Sequence, residues 1–217
     1  MTSGIGRRRA AALDEGSAAY QERRAEIIRA AGAIFKRDGY RGTKIGDIAE
    51  VMDMDRATIY YYVGSKEELF QQAVGDAVEK NCLRAEAILH GPGTPADKLR
   101  TLVTELMVSY ADAYPYLYVY IQEDLTKLSK RSQWARSMSR FNKRYENAVV
   151  AIVEDGMEDG SFHVDTQPWV VAYGIIGMVA WTNRWFNPHE SSVSAQEIGA
   201  AYAETLIGGL VRDVGLN

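Results

Sequence analysis

The chain has 217 residues, of which 47% are hydrophobic and 25% charged, with a formal net charge of −4. That balance is ordinary for a globular protein and excludes disorder over its whole length. The single cysteine, Cys82, cannot close an internal disulfide, and no Cys/His set has zinc spacing, so neither metal nor cofactor is predicted and a reducing, cytoplasmic setting is expected.

Residues 1–16 are rich in Gly, Ser and Arg and read as a flexible basic arm around Arg7-Arg8-Arg9. They lack the apolar stretch of a secretory signal. From Ser17 to Asp38 the apolar positions Ile27, Ile28, Ala31, Ile34 and Phe35 follow helical spacing, and Gly39 is a plausible stop. Thr43 reads as the N-cap of a short helix to about Met52, and Asp55 as the N-cap of a second to about Val63. Ser65 and Glu68 form a capping box that starts a long helix reaching about Leu89.

Gly91-Pro92-Gly93 is the clearest internal boundary. Thr94 caps a helix with Pro95 at its first position. Pro115 starts another. A long helix is predicted over about 132–157, ending in Asp159-Gly160-Ser161. The next runs from Pro168 to Trp185 and stops at Asn187-Pro188. Ser194 and Glu197 cap the last, about 195–212. The prediction is an all-α chain of about nine helices. Residues 17–66 would form a three-helix unit and residues 67–217 a second helical domain.

Charge separates the two parts. Residues 1–66 hold 12 Lys and Arg against 9 Asp and Glu, and the rest holds 13 against 20. Polyanion binding is therefore expected at the N-terminus. Two short helices joined by a tight turn at 52–54 match a helix-turn-helix. Ile45, Ile48, Ala49, Met54, Ile59 and Val63 would form its inner face. That leaves Arg56, Ala57, Thr58, Tyr60, Tyr61 and Tyr62 near the outer face. Arginine there can pair with a guanine edge, threonine with phosphate or a thymine methyl, and tyrosine hydroxyls with phosphates. Ala57 permits close approach, and Lys66 places a charge beside a helix N-terminus. Three consecutive tyrosines cannot all face one core, because a helix turns about 100° per residue.

The segments Gly39-Tyr40-Arg41-Gly42-Thr43-Lys44-Ile45-Gly46-Asp47-Ile48-Ala49 and Asp55-Arg56-Ala57-Thr58-Ile59-Tyr60-Tyr61-Tyr62-Val63-Gly64-Ser65-Lys66-Glu67-Glu68-Leu69 resemble the TetR family of bacterial repressors. Asp53 departs from the glycine usual in that turn, and Val63 from the usual phenylalanine. Aspartate tolerates the left-handed backbone the turn can require. The resemblance implies phosphate contacts by Thr43 and Lys44. It implies major-groove contacts by Arg56, Ala57 and Thr58, and phosphate clamping by Tyr60, Tyr61 and Lys66. It also implies a homodimer on a near-palindromic operator, released by a ligand held in the C-terminal domain.

The C-terminal domain is rich in tyrosine and tryptophan. Part of that set suits a ligand cavity, because each buried hydroxyl needs a partner; the rest suits core and dimer interface. Residues 168–186 are apolar on nearly every face until Thr182, which requires cover on all sides. A second subunit would supply it. Gly174, Gly177 and Ala180, with Ala200, Ala203, Gly208 and Gly209 on the last helix, permit close packing of a four-helix dimer interface. The apolar run Trp169–Trp181 is too short for the roughly 20 residues of a membrane span.

The run Trp181-Thr182-Asn183-Arg184-Trp185-Phe186-Asn187-Pro188 resembles TetR-type regulators that respond to acyl-CoA thioesters. That resemblance implies that Trp181, Arg184 and Trp185 lie near a ligand channel. Tyr118, Gln122, Trp134 and Phe141 are the other candidate walls. The competing effectors are small aromatic, drug-like molecules of the kind that release efflux regulators. A helical lipid carrier without DNA binding is a further alternative. No enzyme is predicted. His90, His163 and His189 sit at helix ends or loops without a motif, Glu123 and Asp124 diverge on one helix, and there is no phosphate loop or serine elbow.

Overall fold

The computed structural model describes residues 18–122 and 133–211, and every regular element among them is helical. The arm at residues 1–16 and the Glu123-Asp124 pair lie outside the described residues. In chain order the elements are α1 (Ala18–Gly42), α2 (Ile45–Val51), α3 (Arg56–Tyr62), α4 (Lys66–His90), α5 (Pro95–Asp112), α6 (Tyr116–Gln122), α7 (Gln133–Glu158), α8 (Pro168–Ala180), a 3₁₀ turn (Trp181–Arg184) and α9 (Ala195–Leu210). Their contacts divide into two compact units. The first takes described residues 18–76 and 115–122, and the second takes 77–114 and 133–211.

In the first unit, the spacing of Ile27, Ala31, Ile34 and Phe35 puts one face of α1 into the core, where all four are buried. They meet Ile48, Ile59, Val63, Leu69 and Phe70, which are buried as well. Full burial of a Val, Leu, Ile or Phe side chain stabilises the fold by about 1.5–3 kcal/mol. The expected stop at Gly39 is a break rather than an end. Its φ of 75° interrupts the helical backbone, yet helical bonding resumes to Gly42.

Helix α6 belongs to this unit although some 40 residues of the other unit precede it in the chain. Its Tyr116 ring packs on Phe35 and Phe70, and its hydroxyl donates to the Ile28 carbonyl. Gly32 makes room for that ring. A Cβ built there would lie 2.7 Å from Tyr116 Cε2.

The second unit shows the predicted start signals at work. Thr94 Oγ accepts the Asp97 N–H with Pro95 as first helical residue, and Ser194 Oγ likewise accepts from Glu197. Helix α9 lies close on α5, since a Cβ on Gly199 would come 2.7 Å from Thr104 Cα. Met138, Ala148, Val149, Ile152 and Val153 form the buried stripe of α7.

Helix α8 ends at Ala180, five residues before the predicted Trp185, and tightens into the 3₁₀ turn. Thr182 lies in that turn. Its hydroxyl, fully buried, donates to the Val179 carbonyl over 2.7 Å and competes with the α-helical ladder. The N–H groups of Trp185 and Phe186 then both turn to the Thr182 carbonyl. On α8 only Ala172, Ile175 and Val179 are buried, while Trp169, Val170 and Tyr173 are exposed and Gly174 and Gly177 face open space.

Candidate nucleic-acid interface

Helix α2 does not start as predicted. Lys44, not Thr43, is its N-cap, and the Lys44 N–H donates to the Asp47 carboxylate over 2.6 Å. Thr43 is 1% exposed, and its hydroxyl turns back to donate to the Gly39 carbonyl. The helix closes through paired backbone bonds, Met54 N–H to the Ala49 carbonyl and Asp53 N–H to the Glu50 carbonyl. That is a Schellman closure, which needs a left-handed residue just past the helix. Asp53 supplies it, with φ of 50°.

Asp55 caps α3 as expected. One carboxylate oxygen accepts the Thr58 N–H at 2.8 Å and the other accepts its hydroxyl at 2.6 Å. Those bonds hold the Asp55 carboxyl below the usual range, the hydroxyl bond contributing most. With its hydroxyl donated to Asp55, Thr58 has its methyl left for a partner. Ile59 and Val63 are fully buried beneath the helix, and Ile45, Ile48 and Ala49 are buried on α2. Met54, the remaining member of the expected inner face, is half-buried.

The outer face carries Arg56, Ala57 and Tyr60, all exposed, and Lys44 is exposed at the N-cap of α2. The Arg56 guanidinium lies over Gly46 of α2. It has no hydrogen-bond or ion-pair partner among the described residues. The other two tyrosines are half-buried. Tyr62 stacks on Tyr20 of α1 with centroids 4.9 Å apart, and Tyr61 meets Tyr20 edge-on at 5.5 Å. Tyr20 had no signal in the sequence beyond helical spacing. Gly46 had one: a glycine inside a short helix that needs no special backbone.

Lys66 sits where the sequence places it, at the first turn of α4, but its ammonium points inward. It donates to the carbonyls of Tyr40 and Thr43, each over 2.7 Å, and lies 4.5 Å from the Tyr40 ring centre. Lys44, Arg56, Ala57 and Tyr60 therefore share the exposed surface. Thr43, Tyr61 and Lys66 hold that surface from behind.

The residues expected around a ligand fall in both units. Tyr118, 1% exposed, and Gln122, exposed, are on α6 in the first. Trp134 and Phe141 are half-buried on α7 in the second, with the Arg144 guanidinium 5.8 Å over the Phe141 ring. Trp181 and Trp185 are 62% and 53% exposed, and the Arg184 guanidinium lies 5.2 Å over the Trp181 ring. Sequence reasoning did not single out Tyr145 of α7. Its hydroxyl is buried with no hydrogen-bond partner, and burial pushes the phenol well above its ordinary value. The excess of tyrosines was the available signal. Among the described residues no helix is long and apolar enough to cross a membrane.

The chain matches two family models. Residues 27–73 match bacterial regulatory proteins of the tetR family, and residues 92–210 match the tetracyclin repressor-like C-terminal domain. It is 27% identical over 194 residues to the HTH-type transcriptional repressor KstR2 of Mycolicibacterium smegmatis, covering 89% of this chain and 93% of that protein. It is 24% identical over 202 residues to KstR2 of Mycobacterium tuberculosis, covering 93% and 99%. The solved structure of the ketosteroid transcriptional regulator KstR2 of M. tuberculosis has a TM-score of 0.78 at 23% identity, over 88% of this chain and 96% of that one. AibR in complex with isovaleryl coenzyme A and operator DNA has a TM-score of 0.67 at 19% identity, over 85% and 98%.

Proposed function

The chain belongs to the TetR family of bacterial regulatory proteins, and from that premise we propose how its residues serve a ligand-responsive transcriptional repressor. Such regulators bind operator DNA and a small-molecule effector and are not enzymes. DNA contact falls to the helix-turn-helix unit at 17–66, supported by α6. Effector and dimer contacts fall to the remainder of 67–217. Arg56 and Ala57 enter the major groove with the Thr58 methyl, and Lys44 and Tyr60 hold phosphates. Thr43, Tyr61 and Lys66 set the angle of that surface. The observation that carries this reading is the exposed, unpaired Arg56 guanidinium at the start of a helix fixed by a closed turn and a carboxylate cap.

Two copies would pair through α8 and α9, covering Trp169, Val170 and Tyr173. The effector we favour is an acyl-CoA thioester bearing a ring or long chain. Arg184 over Trp181 offers a cation to a phosphate or carbonyl. The buried Tyr145 hydroxyl offers a donor to a ligand carbonyl.

The test is selection of bound duplexes from a randomised library, followed by gel-shift titration against salt and a panel of acyl-CoA thioesters. Enrichment of a near-palindrome with steep salt dependence is expected. A library without enrichment sinks the DNA reading. A panel without release or thermal shift, set against small aromatic drugs that give both, replaces the effector.

A further inference from the structure

Gly46 is the second residue of α2, a seven-residue helix. Its backbone has no positive φ, so conformational freedom is not what the position requires. Glycine at an ordinary helical position costs about 0.5–1 kcal/mol relative to alanine. The space above Gly46 is occupied by one side chain. A Cβ built there would lie 2.6 Å from Arg56 Nη2, 2.9 Å from Nε and 3.0 Å from Cζ. The guanidinium thus rests along its length on the α2 backbone, and only a residue without a side chain leaves it that place.

We infer that Gly46 is a positioning residue for operator-base discrimination, which it controls by seating the Arg56 guanidinium on α2. The inference rests on the reading of Arg56 as a base-contacting residue. A free arginine loses much rotamer freedom when it grips a base edge. A guanidinium already seated between the two helices has lost part of that freedom, and its planar fork approaches the groove in one orientation. Bidentate pairing with guanine O6 and N7 tolerates little misalignment. Any side chain at position 46 displaces the fork but disturbs nothing in the core, since Arg56 is exposed and free to swing away.

The experiment uses the full chain, a duplex selected by the wild type from a randomised library, its single-base variants and a scrambled duplex, all read by fluorescence anisotropy. Arg56→Ala should lose about five- to 150-fold discrimination at one base position, the span of a good bidentate pair. Gly46→Ala should lose at least about fivefold at that same position, bind the scrambled duplex as the wild type does, and melt no lower. In the Arg56→Ala background, Gly46→Ala should add nothing. Gly46→Ser, run in the same arms, gives a second displacement of the guanidinium. Wild-type discrimination in both Gly46 variants overturns the inference. So does an equal loss on every duplex, or an effect that persists without Arg56. Full discrimination in Arg56→Ala overturns the underlying reading of Arg56 instead, a result the Gly46 variants alone cannot produce.

Discussion

The ammonium of Lys66 donates to the main-chain carbonyl of Thr43 over 2.7 Å, joining the start of α4 to the junction between α1 and α2. With its second bond, to Tyr40, it satisfies two carbonyls where the helical backbone has been broken at Gly39.

Lys66→Met should therefore act on stability before it acts on DNA. Hydrogen bonds to a charged group contribute about 1.5–3 kcal/mol each in favourable settings, and half-burial places this pair toward the lower figure. A loss of about 2 kcal/mol in urea unfolding is expected, with weaker binding to all duplexes alike. Unchanged unfolding with reduced affinity would return Lys66 to a phosphate contact.

Helix caps make the chain sensitive to acid. Asp55, Asp97 and Glu197 are each held below the ordinary carboxylate range, chiefly by the hydroxyls of Thr58, Thr94 and Ser194. A carboxyl whose folded pKa is depressed stabilises the fold above its unfolded value, about 4, and loses that contribution as pH falls through the folded value. The urea midpoint should fall below about pH 4, and the Asp55→Asn, Asp97→Asn, Glu197→Gln triple variant should be less stable at neutral pH with a flatter acid slope. Parallel slopes for the two proteins would remove the caps from the account.

Gly32→Ala tests the seat of α6 on α1. The added methyl meets Tyr116 Cε2 at 2.7 Å and Pro115 Cδ at 3.1 Å, and overpacking of this kind costs about 1–3 kcal/mol. Tyr116→Phe keeps the ring and deletes the bond to Ile28, a loss of about 1 kcal/mol. Thermal melts of the two variants should rank in that order.

Gly177→Glu places a charge on the open face of α8, where a Cβ meets nothing within 4 Å. The chain should fold as before but sediment as a monomer, and operator affinity should drop with it. A dimer that survives this change would place the interface elsewhere.

Most of the architecture could be read from the chain because its signals are local. Thr94, Asp55 and Ser194 announce helix starts by side chains that cap within three residues, and the structure uses all three. Asp53 was legible as a left-handed position through the family resemblance, which places a glycine in that turn. The misread points are hydroxyls that turn back to a carbonyl three or four residues earlier instead of capping forward. Thr43 looks like a cap, but Gly39 behind it claims the hydroxyl. Helix α8 looks continuous, but it tightens into a 3₁₀ turn where the buried Thr182 hydroxyl donates to the Val179 carbonyl. The outer surface around Arg56 was visible as a pattern. What could not be seen was which of three adjacent tyrosines Tyr20 would draw inward, and that Lys66 would donate to the carbonyls of Tyr40 and Thr43.

The bond from Tyr116 to Ile28 spans 88 positions. During synthesis the core of the first unit still lacks α6 when residue 76 leaves the ribosome. It must wait, with Phe35 and Phe70 lacking their last neighbour, until α6 has been made, more than halfway through the 217-residue chain. A gene fragment cut at the Gly91-Pro92 boundary would encode a reading head with an unfilled pocket against α1. The complete core behind the DNA-reading helices thus exists only once part of the second domain has also been made.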